Sequence, residues 1–119
     1  MDKPVKLSSK LLEWRKGVYL HWCPACQESH WFTVGHKQQN GAQWTWDGNT
    51  VSPTFAPSMH IRLGPWEDEG VKHPQYTQCH YFLRNGIIQF LPDCAHAMKG
   101  QSVPLPDLPL KILEGHNLV

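Results

Sequence analysis

The stretch "CHYFLRNGIIQFL", residues 79–91, constrains the fold of this chain more than any other. Asn-Gly between two alternating apolar runs is the strongest short-range signal for a two-residue β-hairpin, because both turn residues must take positive φ. A type I′ turn at Asn85 and Gly86 pairs Arg84 with Ile87, Leu83 with Ile88 and Tyr81 with Phe90, and sets His80 opposite Leu91. Strand side chains alternate, so Cys79, Tyr81, Leu83, Ile88 and Phe90 share one face while His80, Phe82 and Gln89 share the other. A cysteine and a histidine at the open end of one hairpin therefore look in opposite directions. The chain continues "PDCAHAMKG", where Asp93 reads as an N-cap and Gly100 as the C′ residue of a helix of about two turns. Such a helix brings Cys94 and His96 to the same open end.

Turn signals recur along the remainder. "GVYLHW" and "HWFTVG" flank a turn at "CPAC" and predict a first hairpin. "QWTWDGN" carries strand-type aromatics and an Asp-Gly turn at Asp47 and Gly48. Pro53 and Pro57 confine "VSPTFAPSMHIRLGPW" to an edge strand or a shaped loop. "LSSKLLEWRKG" reads as a short lead-in helix ended by Gly17, residues 64–76 as a surface loop, and the proline-rich segment from Ser102 as an extended tail. The expected fold is a mainly β, small antiparallel domain with hairpins and short helices. A length of 119 residues allows one modest core. The expectation is thus a single domain over 1–119, with its core at about 17–107, a lead-in at 1–16 and a tail at 102–119.

Eleven Lys and Arg against ten Asp and Glu leave a net charge of +1, which gives no electrostatic reason to expect nucleic acid, a membrane or an acidic partner. No apolar run approaches the roughly 20 residues of a membrane span, and the start "MDKPVKLSSK" lacks the apolar region of a signal peptide. The expected setting is a reducing cytoplasm. There, four cysteines read more readily as metal ligands or reactive thiols than as two disulfides.

Cys23 and Cys26 form Cys-x2-Cys in a turn between two strands, the arrangement in which a tight turn lets two thiolates meet one zinc ion at about 2.3 Å. The pair supplies half of a tetrahedral site. Cys79 and Cys94 would complete it, with Cys79 favoured as third ligand, and His30, His80 and His96 are substitutes. Buried inert thiols and a redox dithiol are the competing accounts of the pair, the latter without the βαβ surroundings it needs.

Ser58 lies between Pro57 and Met59 in a segment too proline-rich for an ordinary strand. A serine attacks a carbonyl only if a neighbouring base takes its proton, and that base works better when a carboxylate fixes its tautomer. His60, His80 and His96 are the bases on offer, Asp93 and Asp47 the carboxylates. A loop serine without a catalytic role is the simpler account from residue types alone. His80 or His96 could serve as base, and His80 is preferred because its strand face leaves Cys79 to the zinc side. Asp93 would cap the helix and orient an imidazole, and the N-terminal N–H groups of that helix would meet a developing oxyanion.

The ordered set "CPAC", "WTWDGN", "PTFAPS" and "CHYFLRNGIIQFLPDCAHAMKGQ" resembles a small zinc-binding bacterial and phage domain family, some members of which are the serine peptidases of bacterial ubiquitin-like conjugation operons. The likeness covers roughly residues 18 to 107, and the joint order of the motifs is more specific than any one of them. It implies a zinc-stabilised domain with a Ser/His active centre that cleaves ubiquitin-like precursors or conjugates. By motif, its serine falls on Ser58 and its histidines on His80 and His96, with Asp93 beside the latter. Trp44 and Trp46, on one side of a strand, then serve either as core or as the floor of a groove for the extended tail of a ubiquitin-like protein. A non-catalytic zinc-ribbon-like adaptor that binds a host or defence protein is the alternative.

Overall fold

The computed structural model describes residues 3–38, 41–63, 66–68, 70–73 and 77–118. It is mainly β. The strands are β1 Val5–Lys6, β2 Leu12–Arg15, β3 Val18–Cys23, β4 Glu28–Thr33, β5 Thr45–Trp46, β6 Phe55–Leu63, β7 Trp66–Asp68, β8 Val71–His73, β9 Thr77–Arg84, β10 Ile87–Phe90 and β11 Ser102–Pro104, followed by helix α1, Leu110–Gly115. Among the described residues every pairing between these strands is antiparallel, and an isolated bridge between Val34 and Trp44 is parallel. One sheet has the order β1-β2-β3-β4, a second β11-β10-β9-β6-β5, and β7 pairs with β8 alone.

The β9–β10 hairpin takes the register its turn dictates: Arg84 faces Ile87, Leu83 faces Ile88 and Tyr81 faces Phe90. Asn85 and Gly86 sit at φ of 51° and 73°, as a type I′ turn requires. The Leu91 N–H then donates to the His80 carbonyl at 2.9 Å, closing the open end as expected. Alternation does the rest. Cys79, Tyr81, Leu83, Ile88 and Phe90 are buried against Cys23, Phe32 and Trp44, so the main core lies between the two larger sheets. The β3–β4 hairpin is also where the pattern put it, with Val18 facing Thr33 and Cys23 facing Glu28. Its strand β3 is covered on both sides, because Val18, Leu20 and Trp22 pack with Leu12 and Leu108 in a second cluster against Ile112 and Leu113 of α1.

Two local expectations are overturned, and a third, the extended tail, holds only as far as α1. Residues 12–15 form β2 instead of a lead-in helix, since pairing with β3 lets Leu12 be fully buried, which an isolated turn of helix could not offer. Of residues 64–76, expected as a loop, 66–68 and 71–73 pair as β7 and β8; positions 64, 65, 69 and 74–76 lie outside the described residues. The proline-rich tail contributes β11, paired with β10, and then α1. A fourth expectation needs refinement. β6 lies between β9 and β5 and not at the sheet edge, yet β5 pairs with only two of its residues, Phe55 and Ala56, and among the described residues no strand pairs with that side at Pro57 or beyond. Among the described residues no helix is long and apolar enough to cross a membrane.

Between the sheets, the Tyr81 hydroxyl stands 2.7 Å from His21 Nε2 and 3.1 Å from His30 Nδ1. All three side chains are buried. Burial, followed by the charge of His30, lowers the pKa of His21 to about 4, so His21 is a neutral partner in this relay. Replacing Tyr81 by phenylalanine strands two buried ring nitrogens and is expected to cost about 2 kcal/mol, read as a lower denaturant midpoint at unchanged slope. An unchanged midpoint would mean that the relay contributes nothing to stability.

Candidate active site and thiol cluster

Two groups of reactive side chains flank the open end of the β9–β10 hairpin, one on each face. The outer group begins with an irregularity in β6. Phe55 faces Leu83 and Met59 faces Tyr81, so four steps along β6 correspond to two along β9. The surplus forms a bulge that contains Ser58. Bulges re-aim side chains out of the regular ladder, and they need an anchor. Here Trp44 supplies one, its buried indole N–H donating to the Ser58 carbonyl at 3.2 Å.

Re-aimed in this way, Ser58 Oγ lies 3.0 Å from His80 Nε2. His80 Nδ1 lies 3.1 Å from Asp93 Oδ2. Serine, imidazole and carboxylate thus form one continuous line, with the carboxylate half-exposed and the histidine side chain 22% exposed. The hydrogen bond from His80, ahead of its charge, holds the Asp93 carboxyl below its ordinary pKa. The acceptor on Nδ1 selects the tautomer whose Nε2 lone pair faces the serine. His60, the cross-strand partner of His80, stacks on it at a centroid distance of 4.4 Å. Asp47, the other carboxylate on offer, instead accepts from the Asn49 and Thr54 N–H groups. A cleft of about 730 Å³ opens beside Ser58, lined by Trp31, Ala42, Trp44 and Pro57 among others.

The predicted helix after Asp93 is absent. Residues 92–100 run as turns, and the Asp93 carboxylate reaches His80 instead of capping N–H groups. The Cys94 and Ala95 N–H groups donate to Leu91 and Gln78 carbonyls, so they are not a helix terminus aimed at Ser58. They therefore offer no oxyanion site to Ser58, contrary to the expectation from sequence. Cys94 is buried and clamped to the β9 backbone, accepting from the His80 N–H at 3.3 Å and donating to the His80 carbonyl at 3.1 Å.

On the inner face, the sulfurs of Cys23, Cys26 and Cys79 all lie within 4.8 Å of one another. Four ligands around zinc at about 2.3 Å place sulfurs roughly 3.8 Å apart, so small side-chain rotations bring these three onto one ion. Cys79 also belongs to a second set within the same limit, with Cys94 and His96. The His96 ring packs edge-on against Phe90, its Nδ1 accepts from the Met98 N–H, and its Nε2 is buried without a hydrogen-bond partner. His96 thus stands with the thiols, not with Ser58. His30 pairs instead with Cys26 and Glu28.

The thiols share their charge unequally. Hydrogen bonds from Cys26 and then Cys79 push Cys23 down to about 2, while Cys23 pushes Cys26 up to about 12 and Cys79 higher still. The shifts oppose ionising all three thiols together, and a divalent cation would relieve that opposition. The Cys26 N–H approaches Cys23 Sγ at 3.5 Å, the kind of donor that steadies a bound thiolate. The donor set therefore fits a metal of zinc's class.

Alternation along β9 was the signal that separated the two faces. Nothing in the residue types marked Trp44 as the anchor of the bulge. No curated protein and no solved structure matches the chain. The model of one family does, that of the bacterial ubiquitination-like system serine proteases, BubE, over residues 3–91, a span that contains Ser58 and His80 and ends just before Asp93. Matched over well more than half of its length, the chain belongs to the BubE family of bacterial ubiquitination-like system serine proteases.

Proposed function

We propose that the chain is a serine peptidase in which Ser58 is the nucleophile, His80 the general base and Asp93 the carboxylate that orients it. The observation that carries the reading is the line of two contacts, 3.0 Å from Ser58 Oγ to His80 Nε2 and 3.1 Å from His80 Nδ1 to Asp93 Oδ2. Ser58 Oγ attacks the scissile carbonyl as its proton passes to His80 Nε2. His80 then returns that proton to the leaving amine, and a water activated by the same nitrogen releases the acyl group. Asp93 accepts from Nδ1–H throughout and stabilises the imidazolium between these steps. Membership of the family makes proteins the substrate class, and the precursors or conjugates of a ubiquitin-like protein are the members of it we propose. An extended tail fits the cleft beside Ser58, where Trp31 and Trp44 offer apolar contact along an open groove.

Zinc at Cys23, Cys26 and Cys79, with Cys94 or His96 as fourth ligand, is proposed as structural. When bound it supplies folding free energy and neutralises the thiolates. Bound there, it would hold Cys79, the residue next to His80, in place.

A fluorophosphonate probe tests the nucleophile without knowledge of the substrate. The folded chain is expected to be labelled at Ser58, and the Ser58→Ala chain to remain unlabelled. A folded wild-type chain that takes up no probe would leave the family fold acting as a binding module, the adaptor reading.

A further inference from the structure

His60 has no part in the proton path described above, yet it is placed where few exposed histidines are. It is the direct cross-strand partner of His80, and the two rings are stacked with only 20° between their planes. One ligand atom each from His60, His80 and Asp93 lies within 4.8 Å of the others. Zinc binds imidazole nitrogen and carboxylate oxygen at about 2.0 to 2.2 Å, which asks for ligand atoms roughly 3.3 Å apart. His60 is exposed, so its ring has room to turn toward that spacing. The donor set, two imidazoles and a carboxylate, suits zinc, nickel and copper, and leaves a fourth position to water. Unlike the inner face, where Cys23 and Cys79 are buried, this set opens to solvent through His60 and Asp93.

We propose that His60, His80 and Asp93 form a second, solvent-accessible site for one divalent cation of zinc's class, and that its occupation switches off Ser58. The cation takes a ring nitrogen of His80. On Nε2 it covers the lone pair that would accept the serine proton; on Nδ1 it takes that nitrogen's lone pair, so the ring's one proton sits on Nε2 and faces Ser58. Either way the imidazole no longer serves as base. The inhibitory consequence rests on the peptidase reading, whereas the binding site does not.

The site is tested by calorimetric titration of zinc into the full chain and into the His60→Gln chain. Zinc taken up by the thiol cluster contributes equally to both and cancels in the comparison. The wild type is expected to show an additional binding event that weakens in His60→Gln by more than about tenfold, the lower end of what even the outer partners of a metal ligand cost. Asp93→Ala should lose the same event, which guards against a misfolded His60 variant. Equal zinc binding in all three chains overturns the site. Fluorophosphonate labelling then reads the consequence: added zinc is expected to slow labelling of the wild type and to leave the His60→Gln rate unaltered, each chain compared with itself. Equal slowing in both overturns the switch. A wild type that is never labelled, with or without zinc, defeats the peptidase reading, and the calorimetry still decides the site.

Discussion

The Ser58→Ala chain is expected to cleave a ubiquitin-like precursor about 10⁴- to 10⁶-fold more slowly than the wild type, because removing the nucleophile of a triad costs nearly as much as removing the whole triad. Its fold should be untouched. The side chain is part-buried on a bulge, its hydroxyl bonds to His80, and the backbone anchor from Trp44 uses the carbonyl, which alanine keeps. His80→Ala should fall to a similar rate, and combining the two should add little, since they act as one unit. Asp93→Asn separates orientation from attack. The amide presents N–H where the carboxylate accepted one, so His80 is biased to the tautomer whose Nε2 already carries a proton, and kcat should drop by roughly 10²- to 10⁴-fold. The lower end is favoured, because Asp93 is half-exposed and water can partly replace it. Precursor cleavage followed by mass, with melting temperature as the control for folding, reads all of these. Full activity in Ser58→Ala would place the nucleophile elsewhere. Cys94 is a poor successor, buried and bonded on both sides to the His80 backbone.

Stripping the proposed zinc should have the second largest effect. Zinc bound by such a ligand set contributes roughly 10 to 16 kcal/mol, comparable to or larger than the whole stability of a domain of this size. Chelation is expected to collapse the near-ultraviolet signal of the packed aromatics, and metal analysis of the untreated chain to give about one zinc. Cys79→Ser should be the most damaging single cysteine change. Cys79 is fully buried and is shared by the set with Cys23 and Cys26 and the set with Cys94 and His96. It also adjoins His80 in the same strand, so a loosened cluster carries the triad geometry away with it. Peptidase activity and zinc content should therefore fall together in Cys79→Ser, whereas in Ser58→Ala activity falls alone. A chain free of zinc, or one whose melting temperature survives Cys23→Ser, would remove the structural metal from the account.

What the sequence by itself determined is what adjacent residues can settle between them. Asn85 and Gly86 set a turn, the turn set a register, and the period of two put Cys79 and His80 on opposite faces; the β3–β4 hairpin around Cys23 and Cys26 follows from the same local logic. Tertiary structure decided wherever a residue had two partners of similar local merit. Leu12 could sit in a helix or a strand, and β3 offered it a partner and a buried place as a strand. Asp93 could cap a helix or bind an imidazole; His80 stood within 3.1 Å, a charge-assisted bond outweighed a cap, and no helix formed. Eight histidines could not be sorted by residue type. The bulge in β6 brought Ser58 to His80, while packing against Phe90 held His96 among the thiols, because those choices depend on distances between segments far apart in the chain.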